Sequence, residues 1–235
     1  MTDTLTATGL TISRGGRLLV DGLDLSLREG TVTALSGPNG SGKTTTAWCL
    51  GLHDLDFTGT VTIDGQHSGR MSPRDIRRAH RTTIALQPQD LLLEDSWTPV
   101  AALRHAAWAL GLPRRQRGAR IADALAAAGL THLSRTRTGL LSGGERMRVA
   151  LARTLLMERP RLVILDEPTA GADEELAALV IGALDEWART SAAILVATHD
   201  PRLIERAESQ VELGAGEQVH APGARAHEAL ENPAW

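Results

Sequence analysis

Between residues 1 and 35, and again at 58–65, apolar and polar positions alternate. "LTATGLTI", "LLVDGLDLSL" and "TVTIDG" are separated by turn residues, which predicts a small antiparallel sheet. Short unbroken apolar runs follow a different rule. Thr31–Leu35, Ile84–Leu86, Leu162–Leu165 and "AAILVATHD" (Ala192–Asp200) read as strands of the kind buried on both faces of a parallel sheet. Helical spacing dominates from 90 to 158. There Thr98 caps and Pro99 opens one helix to Leu110, Gly111–Pro113 breaks it, and Ala119–Ala128 forms another. A further helix opens at "LLSGGERMRVALARTLL", with Ser142 as N-cap and apolar positions at Met147, Val149, Ala150, Leu151 and Leu155. The pattern predicts an α/β fold: a mostly parallel core, a small antiparallel β subdomain, and an inserted helical subdomain at about 90–158 of one domain spanning 1–235.

Composition narrows the reading. The chain has 235 residues, 42% hydrophobic and 23% charged, values ordinary for a soluble domain. A net charge of −3 argues against a general nucleic-acid binder. The single Cys49 excludes an internal disulfide and fits a reducing compartment. No apolar stretch reaches the length of a membrane span, and "MTDTLTATGL" lacks the basic and apolar regions of a leader. A cytoplasmic chain without a membrane helix of its own is therefore expected. The basic runs 73–81 and 113–120 read as solvated faces, with attraction to lipid as the other reading. The stretch after Leu213 is rich in Gly, Ala and Glu, and weak order is expected at its end.

Of the 25 basic residues, 24 are arginine, and the one lysine, Lys43, sits in a glycine loop. That loop runs Gly37-Pro38-Asn39-Gly40-Ser41-Gly42-Lys43-Thr44-Thr45, between the strand ending at Leu35 and a helix to Leu50. The spacing Gly-x4-Gly-Lys-Thr is a phosphate loop. Its backbone N–H groups surround phosphate oxygens, the lysine reaches the β and γ groups, and the Thr44 hydroxyl suits Mg²⁺. A compact ammonium serves there where a planar guanidinium fork does not.

Asp166 ends the 162–165 strand, where open α/β sheets bind ligands and where a phosphate-loop protein places an acid for Mg²⁺. Glu167 follows, suited to orient or activate a water, although an Asp-Glu pair also begins many polar loops. His199 leaves the next apolar run, on the same edge if the two strands are neighbours. The eight histidines show no metal-ligand spacing. Ser142-Gly143-Gly144 is a second anion cradle, at the positive end of a helix dipole.

Gly37–Thr45, "LSGGE" (Leu141–Glu145), "LVILDEP" (Leu162–Pro168) and His199 resemble, in this order, the ATP-binding cassette family. The resemblance covers nearly the whole chain and implies a P-loop NTPase (RecA-like) core with bound ATP and Mg²⁺. It also implies a glutamine after the Ile84–Leu86 strand, which Gln87 or Gln89 could supply; "QPQD" favours Gln89, as a group for both water and metal. "AGAD" (Ala170–Asp173) is similar to the family's D-loop, with Ala172 where leucine is usual. In this family two cassettes associate head to tail, so Ser142, Gly143, Gly144 and Glu145 would act on nucleotide held by a second ATPase subunit. Separate transmembrane permease subunits are implied as partners, docking on the helical subdomain. Trp97 and Trp108 are candidates for that contact and, as isolated apolar residues, for the core. The chain would then be peripheral on the cytoplasmic face of the cell membrane.

The segment 83–100 and the order of motifs are similar to peptide and nickel import ATPases, which implies import and a substrate-binding protein. A soluble cassette ATPase acting in cofactor or complex assembly is the alternative. One departure stands out. The family stacks an aromatic ring on adenine from the loop after the first strand, where this chain has Arg14; it has no Tyr, and its only Phe, Phe57, lies too far along. Arg14, mobile and solvated, is expected to be the base platform, with weak discrimination between ATP and GTP.

Overall fold

The computed structural model describes residues 2–89, 93–171 and 173–214. Ala172 and the stretch 215–235, on which expectations were placed above, lie outside the described residues.

Two sheets share one apolar interior. The antiparallel sheet has the order β2-β1-β4-β5, from β1 (Asp3–Arg14), β2 (Arg17–Arg28), β4 (Thr58–Ile63) and β5 (Gln66–His67). Its inner face is made of Leu5, Ala7, Leu10 and Ile12 of β1 with Leu23, Leu25 and Leu27 of β2. Strict alternation would aim Gly9 inward after Ala7. A register shift between Ala7 and Leu10 skips it and keeps Leu10 and Ile12 in the core. The facing strand needs glycine there too, because a Cβ on Gly59 would lie 2.3 Å from the Gly9 carbonyl oxygen.

The second sheet is parallel, order β6-β7-β8-β3-β9, from β3 (Val32–Ser36), β6 (Ile84–Gln87), β7 (Leu162–Asp166), β8 (Ala193–Ala197) and β9 (Ser209–Glu212). β3, β7 and β8 are buried at every position, which explains their unbroken apolar composition. One face packs on α1 (Lys43–Leu50) and the antiparallel sheet. The other packs on α5 (Gly143–Leu155) and α6 (Glu174–Arg189), through Met147, Leu151, Val180 and Leu184.

A third core joins α3 (Pro99–Ala109), α4 (Arg114–Ala127) and α5 around Leu103, Leu125 and Val149. Thr98 accepts from the Ala101 N–H and Pro99 follows it, the predicted start of α3. α4 begins at Arg114, ahead of the predicted Ala119, because Pro113 with φ −58° already holds the backbone of a helix entrance. The basic run 73–81 folds as α2 (Pro73–Thr82), closed by a reciprocal Ser72–Asp75 cap, with Ile76 and Ala79 inward and its arginines exposed. α7 (Pro201–Arg206) completes the chain's helices among the described residues. None of them is long and apolar enough to cross a membrane.

Trp97 packs half-buried on the helical core, as one reading expected, but Trp108 is 64% exposed. The physical reason is helical phase: Leu103 and Ala107 face inward, and the next position turns out toward solvent.

Candidate active site

The parallel register assembles the site. β7 pairs with β8 so that Asp166 lies opposite Ala197, and β3 pairs with β8 on its other side. The ends of β3, β7 and β8 therefore open at one edge, each carrying one predicted motif.

At the end of β3 the loop turns through Gly37 (φ 146°), Gly40 (φ 79°) and Gly42 (φ 95°) into α1. A Cβ on Gly37 would lie 2.5 Å from the Leu213 carbonyl oxygen, so this turn fits under β9 only without a side chain. α1 has no side-chain cap, which leaves its first N–H groups uncovered by the chain's own oxygens. Lys43, 7% exposed, donates from Nζ to the carbonyls of Gly37 (2.8 Å) and Pro38 (3.2 Å). Pro38, Asn39 and Gly40 are exposed on the loop's rim, Ser41 is buried beneath it, and Thr44 and Thr45 begin α1 half-buried.

Thr44 donates to Asp166 Oδ1 (3.2 Å), a contact spanning the sheet edge. Burial pushes the Asp166 carboxyl up to about 6; the Thr44 bond opposes this and the adjacent Glu167 adds to it. Asp166 Oδ2 is buried without a partner among the described residues. An orphaned carboxylate oxygen beside a threonine hydroxyl fits a hard divalent cation that prefers oxygen ligands.

Glu167 sits in the left-handed region (φ 46°), held there by its N–H bond to the Ala197 carbonyl (2.8 Å). That turn sends its side chain to His199, whose Nδ1 lies 2.9 Å from Glu167 Oε1. The second oxygen, Oε2, is buried without a partner among the described residues. The expectation that β7 and β8 deliver Glu167 and His199 to the same edge holds.

The two glutamines separate. Gln87 is the last residue of β6, 1% exposed, and donates to Met147 Sδ at 3.2 Å. Gln89 is exposed beyond the strand, and its backbone N–H bonds to the Asp166 carboxylate. The structure brings the Gln89 backbone to Asp166 and holds the Gln87 amide nitrogen against Met147, with Gln87 Oε1 buried and without a partner among the described residues.

The signature lies at the start of α5. Ser142 Oγ accepts from the Glu145 N–H (3.2 Å) and Glu145 Oε2 accepts from the Ser142 N–H (2.8 Å), a closed capping box. A Cβ on Gly143 or Gly144 would meet nothing within 4 Å, so their backbone faces open space. Among the described residues none of the four bonds to the phosphate loop. Asp173 caps α6, accepting from the Leu176 N–H (2.7 Å). Arg148, 8% exposed on α5, was not singled out by the sequence; it lies 3.5 Å from Asp173 and 3.0 Å from Glu175, tying α5 to the N-cap and first turn of α6. The signal available was an arginine on the apolar face of α5.

Arg14 differs most from expectation. It is neither mobile nor free: its guanidinium bonds Asp54 Oδ2 (2.5 Å), the Asp56 carbonyl (2.7 Å), Asp56 Oδ2 (3.1 Å) and its neighbour's carbonyl. The bond to Asp54 raises the Arg14 pKa still further above neutrality. Its edge is committed to a carboxylate clamp, leaving only the flat face for a base. Phe57 packs on the core beneath the antiparallel sheet.

Comparison with known proteins agrees with this geometry. A family model described as ABC transporter matches residues 20–170. The chain is 35% identical over 217 residues to the hemin import ATP-binding protein HmuV of Streptomyces coelicolor, covering 92% of this chain and 76% of that one. It is 36% identical over 214 residues to the lipoprotein-releasing system ATP-binding protein LolD 1 of Rhodospirillum rubrum, covering 89% and 93%. It is also 33% identical over 203 residues, 86% of its length, to a macrolide export ATP-binding/permease protein of Paracoccus denitrificans, of which it spans 30%. A bacterial ABC transporter cassette solved as a dimer superposes with a TM-score of 0.84 at 23% identity, over 94% of this chain and 99% of that one. The α/β architecture, the match over most of the chain and these relatives together place the protein in the ABC transporter family, as an ATP-binding ATPase.

Proposed function

We propose that this chain powers a membrane transporter by ATP-driven closure of two cassettes, each supplying half of both sites. One observation carries this: the phosphate loop and the signature are both formed, yet share no bond among the described residues. Lys43 and the N-terminus of α1 bind the phosphates of one nucleotide, and Gly143 and Gly144 of a second copy or a homologous subunit cover its γ-phosphate. Thr44, Asp166 and Gln89 would hold Mg²⁺, which when bound neutralises charge on the β and γ groups. Glu167 orients the attacking water through the oxygen that His199 leaves unbound, and its left-handed backbone fixes that oxygen in place. Asp173, at the head of α6, is positioned to report across the dimer through Arg148.

A cleft of about 360 Å³ between β6 and the helical layer, reaching from Trp48 to Met157, is the docking place we assign to the membrane-spanning partner. The chain would be held peripherally at the membrane through that contact. Import, with a substrate-binding protein, is the direction we propose, supported by the hemin import homologue. The lipoprotein-releasing homologue favours a second reading, release of a lipid-anchored cargo.

Glu167→Gln tests the mechanism. Binding is retained while water orientation is lost, so the variant is expected to retain ATP and sediment as a dimer with ATP and Mg²⁺. A variant that turns over ATP at the parent rate would contradict the role of Glu167.

A further inference from the structure

Helix α2 carries four arginines on one face. Arg74, Arg77, Arg78 and Arg81 have the spacing that places side chains on one side of a helix, here over about 10 Å. Ile76 and Ala79 hold the opposite side on the core, and the Ser72–Asp75 cap fixes the first turn. All four arginines are exposed. The stripe is therefore presented by a helix anchored at its back.

Its charge is left uncompensated. Other arginines of the chain reach carboxylates, as Arg146 reaches Asp95 and Arg206 reaches Asp185 and Glu208, but among the described residues none of these four does. Asp75, the one acid of α2, lies in the field of Arg78, yet its carboxylate is engaged by Ser72 at 2.6 and 2.9 Å. Asp64, which lines a groove with Arg78, faces Arg161 at 3.4 Å. The other basic run, 113–120, is used within the fold. Arg117 donates to the Leu112 carbonyl (2.7 Å), and Arg120 donates to the Leu156 carbonyl (2.7 Å) and pairs with Glu158. In a chain of net charge −3, the α2 row is a local exception.

An anion is its complement, and the position of α2 selects the kind. His80 of the same helix lines the cleft assigned above to the membrane-spanning partner, so the stripe lies beside that docking face. The helix carries no Phe, Tyr or Trp, and so offers no platform for a nucleic-acid base. Guanidinium groups in a row suit phosphates spread over a surface. We propose that the α2 arginines contact phosphate groups of anionic lipid headgroups, next to the contact with the membrane-spanning partner. The proposal rests on the peripheral membrane placement given above and adds to it a contact with the bilayer itself. Each arginine near an anionic surface strengthens attachment about 5-fold, so the stripe binds weakly alone and reinforces a chain already held by its partner.

Co-sedimentation of the full chain with vesicles tests this. Vesicles of one part phosphatidylglycerol to two parts phosphatidylcholine are compared with phosphatidylcholine alone. The chain is expected to bind the anionic vesicles at about 0.1 M salt and to leave them at about 1 M, where the screening length falls to about 3 Å. Arg77→Gln/Arg81→Gln should weaken partitioning about 25-fold. Arg28→Gln/Arg189→Gln removes the same charge from exposed positions at the ends of β2 and α6 and should change it less than about 2-fold. ATP binding measured in the same proteins shows that they remain folded. Equal binding to both kinds of vesicle, or an equal loss in the two double variants, overturns the proposal. Tighter binding to duplex DNA than to the anionic vesicles overturns it as well. Any of these leaves placement through the membrane-spanning partner standing. Fractionation of the source cells tests that placement separately: a chain recovered wholly in the soluble fraction contradicts it, and the role of the stripe with it.

Discussion

Two helices of this molecule begin at glycine-rich turns, and they are prepared for anions in opposite ways. α1 starts from a left-handed Gly42 with no side-chain cap, a buried lysine over its loop, and an acid across the sheet edge from Thr44. α5 starts from a serine whose capping box already uses the Ser142 and Glu145 N–H groups. Its nearby cation, Arg146, is held by Asp95 (2.9 Å) and by carbonyls, so the signature brings no free positive side chain. The first end can hold a polyphosphate unaided. The second offers backbone N–H groups from two glycines and a helix dipole, enough to cover a phosphate that something else carries. On the proposed function these are complementary halves of one site and not two alternative sites.

The largest expected effect lies on the first half. Lys43→Arg keeps the charge but brings a fork into a loop closed around a point donor 2.8 Å from Gly37. Turnover should fall about 100-fold or more, the size of effect seen when one electrostatic donor is lost from a transition state. Steady-state phosphate release checks it, and near-parent turnover would show that the sole lysine has no special task.

A smaller effect is expected at the nucleotide base. With the edge of Arg14 bound to Asp54 and Asp56, only weak stacking is left for a purine. GTP should then compete with ATP within a few-fold. Arg14→Tyr should tighten ATP by about 10-fold, since stacking on an aromatic side chain contributes ~1–3 kcal/mol. Competition titration decides, and strong ATP preference in the parent chain would assign the base to another residue.

The smallest effect is on stability and concerns the exit of β8. Arg202 holds the Asp200 carboxyl down to about 2 through paired bonds of 2.6 and 3.2 Å. Because the folded value lies below the unfolded one, this contact stabilises fully above about pH 4 and fades as pH falls toward 2. Arg202→Ala should lower Tm by roughly a few degrees at pH 7, less as acid is added. Thermal melts at several pH values check the sign.

Much of the site could be read from sequence because it depends on short patterns. The phosphate loop, the strand ending in Asp166-Glu167 and the Ser142 cap each need only a few consecutive residues, and each was found where expected. The glutamine required the strand's end. Gln87 and Gln89 share a face by their spacing of two, and only the last pairing, Gln87 with Leu165, shows which one leaves the sheet. The Arg14 clamp depends on Asp54 and Asp56, some forty residues away, brought near by the loop after α1. Helix α2 was hidden by its own basic run, which outweighs the inward face of Ile76 and Ala79. Its Ser72–Asp75 box was the signal, with aspartate in place of the usual glutamate.

The central claim is that the signature acts on another chain's nucleotide. Sedimentation velocity of Glu167→Gln, with and without Ser142→Arg in the same chain, tests it most directly. The single variant should sediment as a dimer with ATP and Mg²⁺. The double variant should bind ATP with unchanged affinity, because its phosphate loop is intact, yet remain monomeric. A double variant that still dimerises with ATP, or one that loses ATP affinity as a monomer, would contradict a site completed in trans.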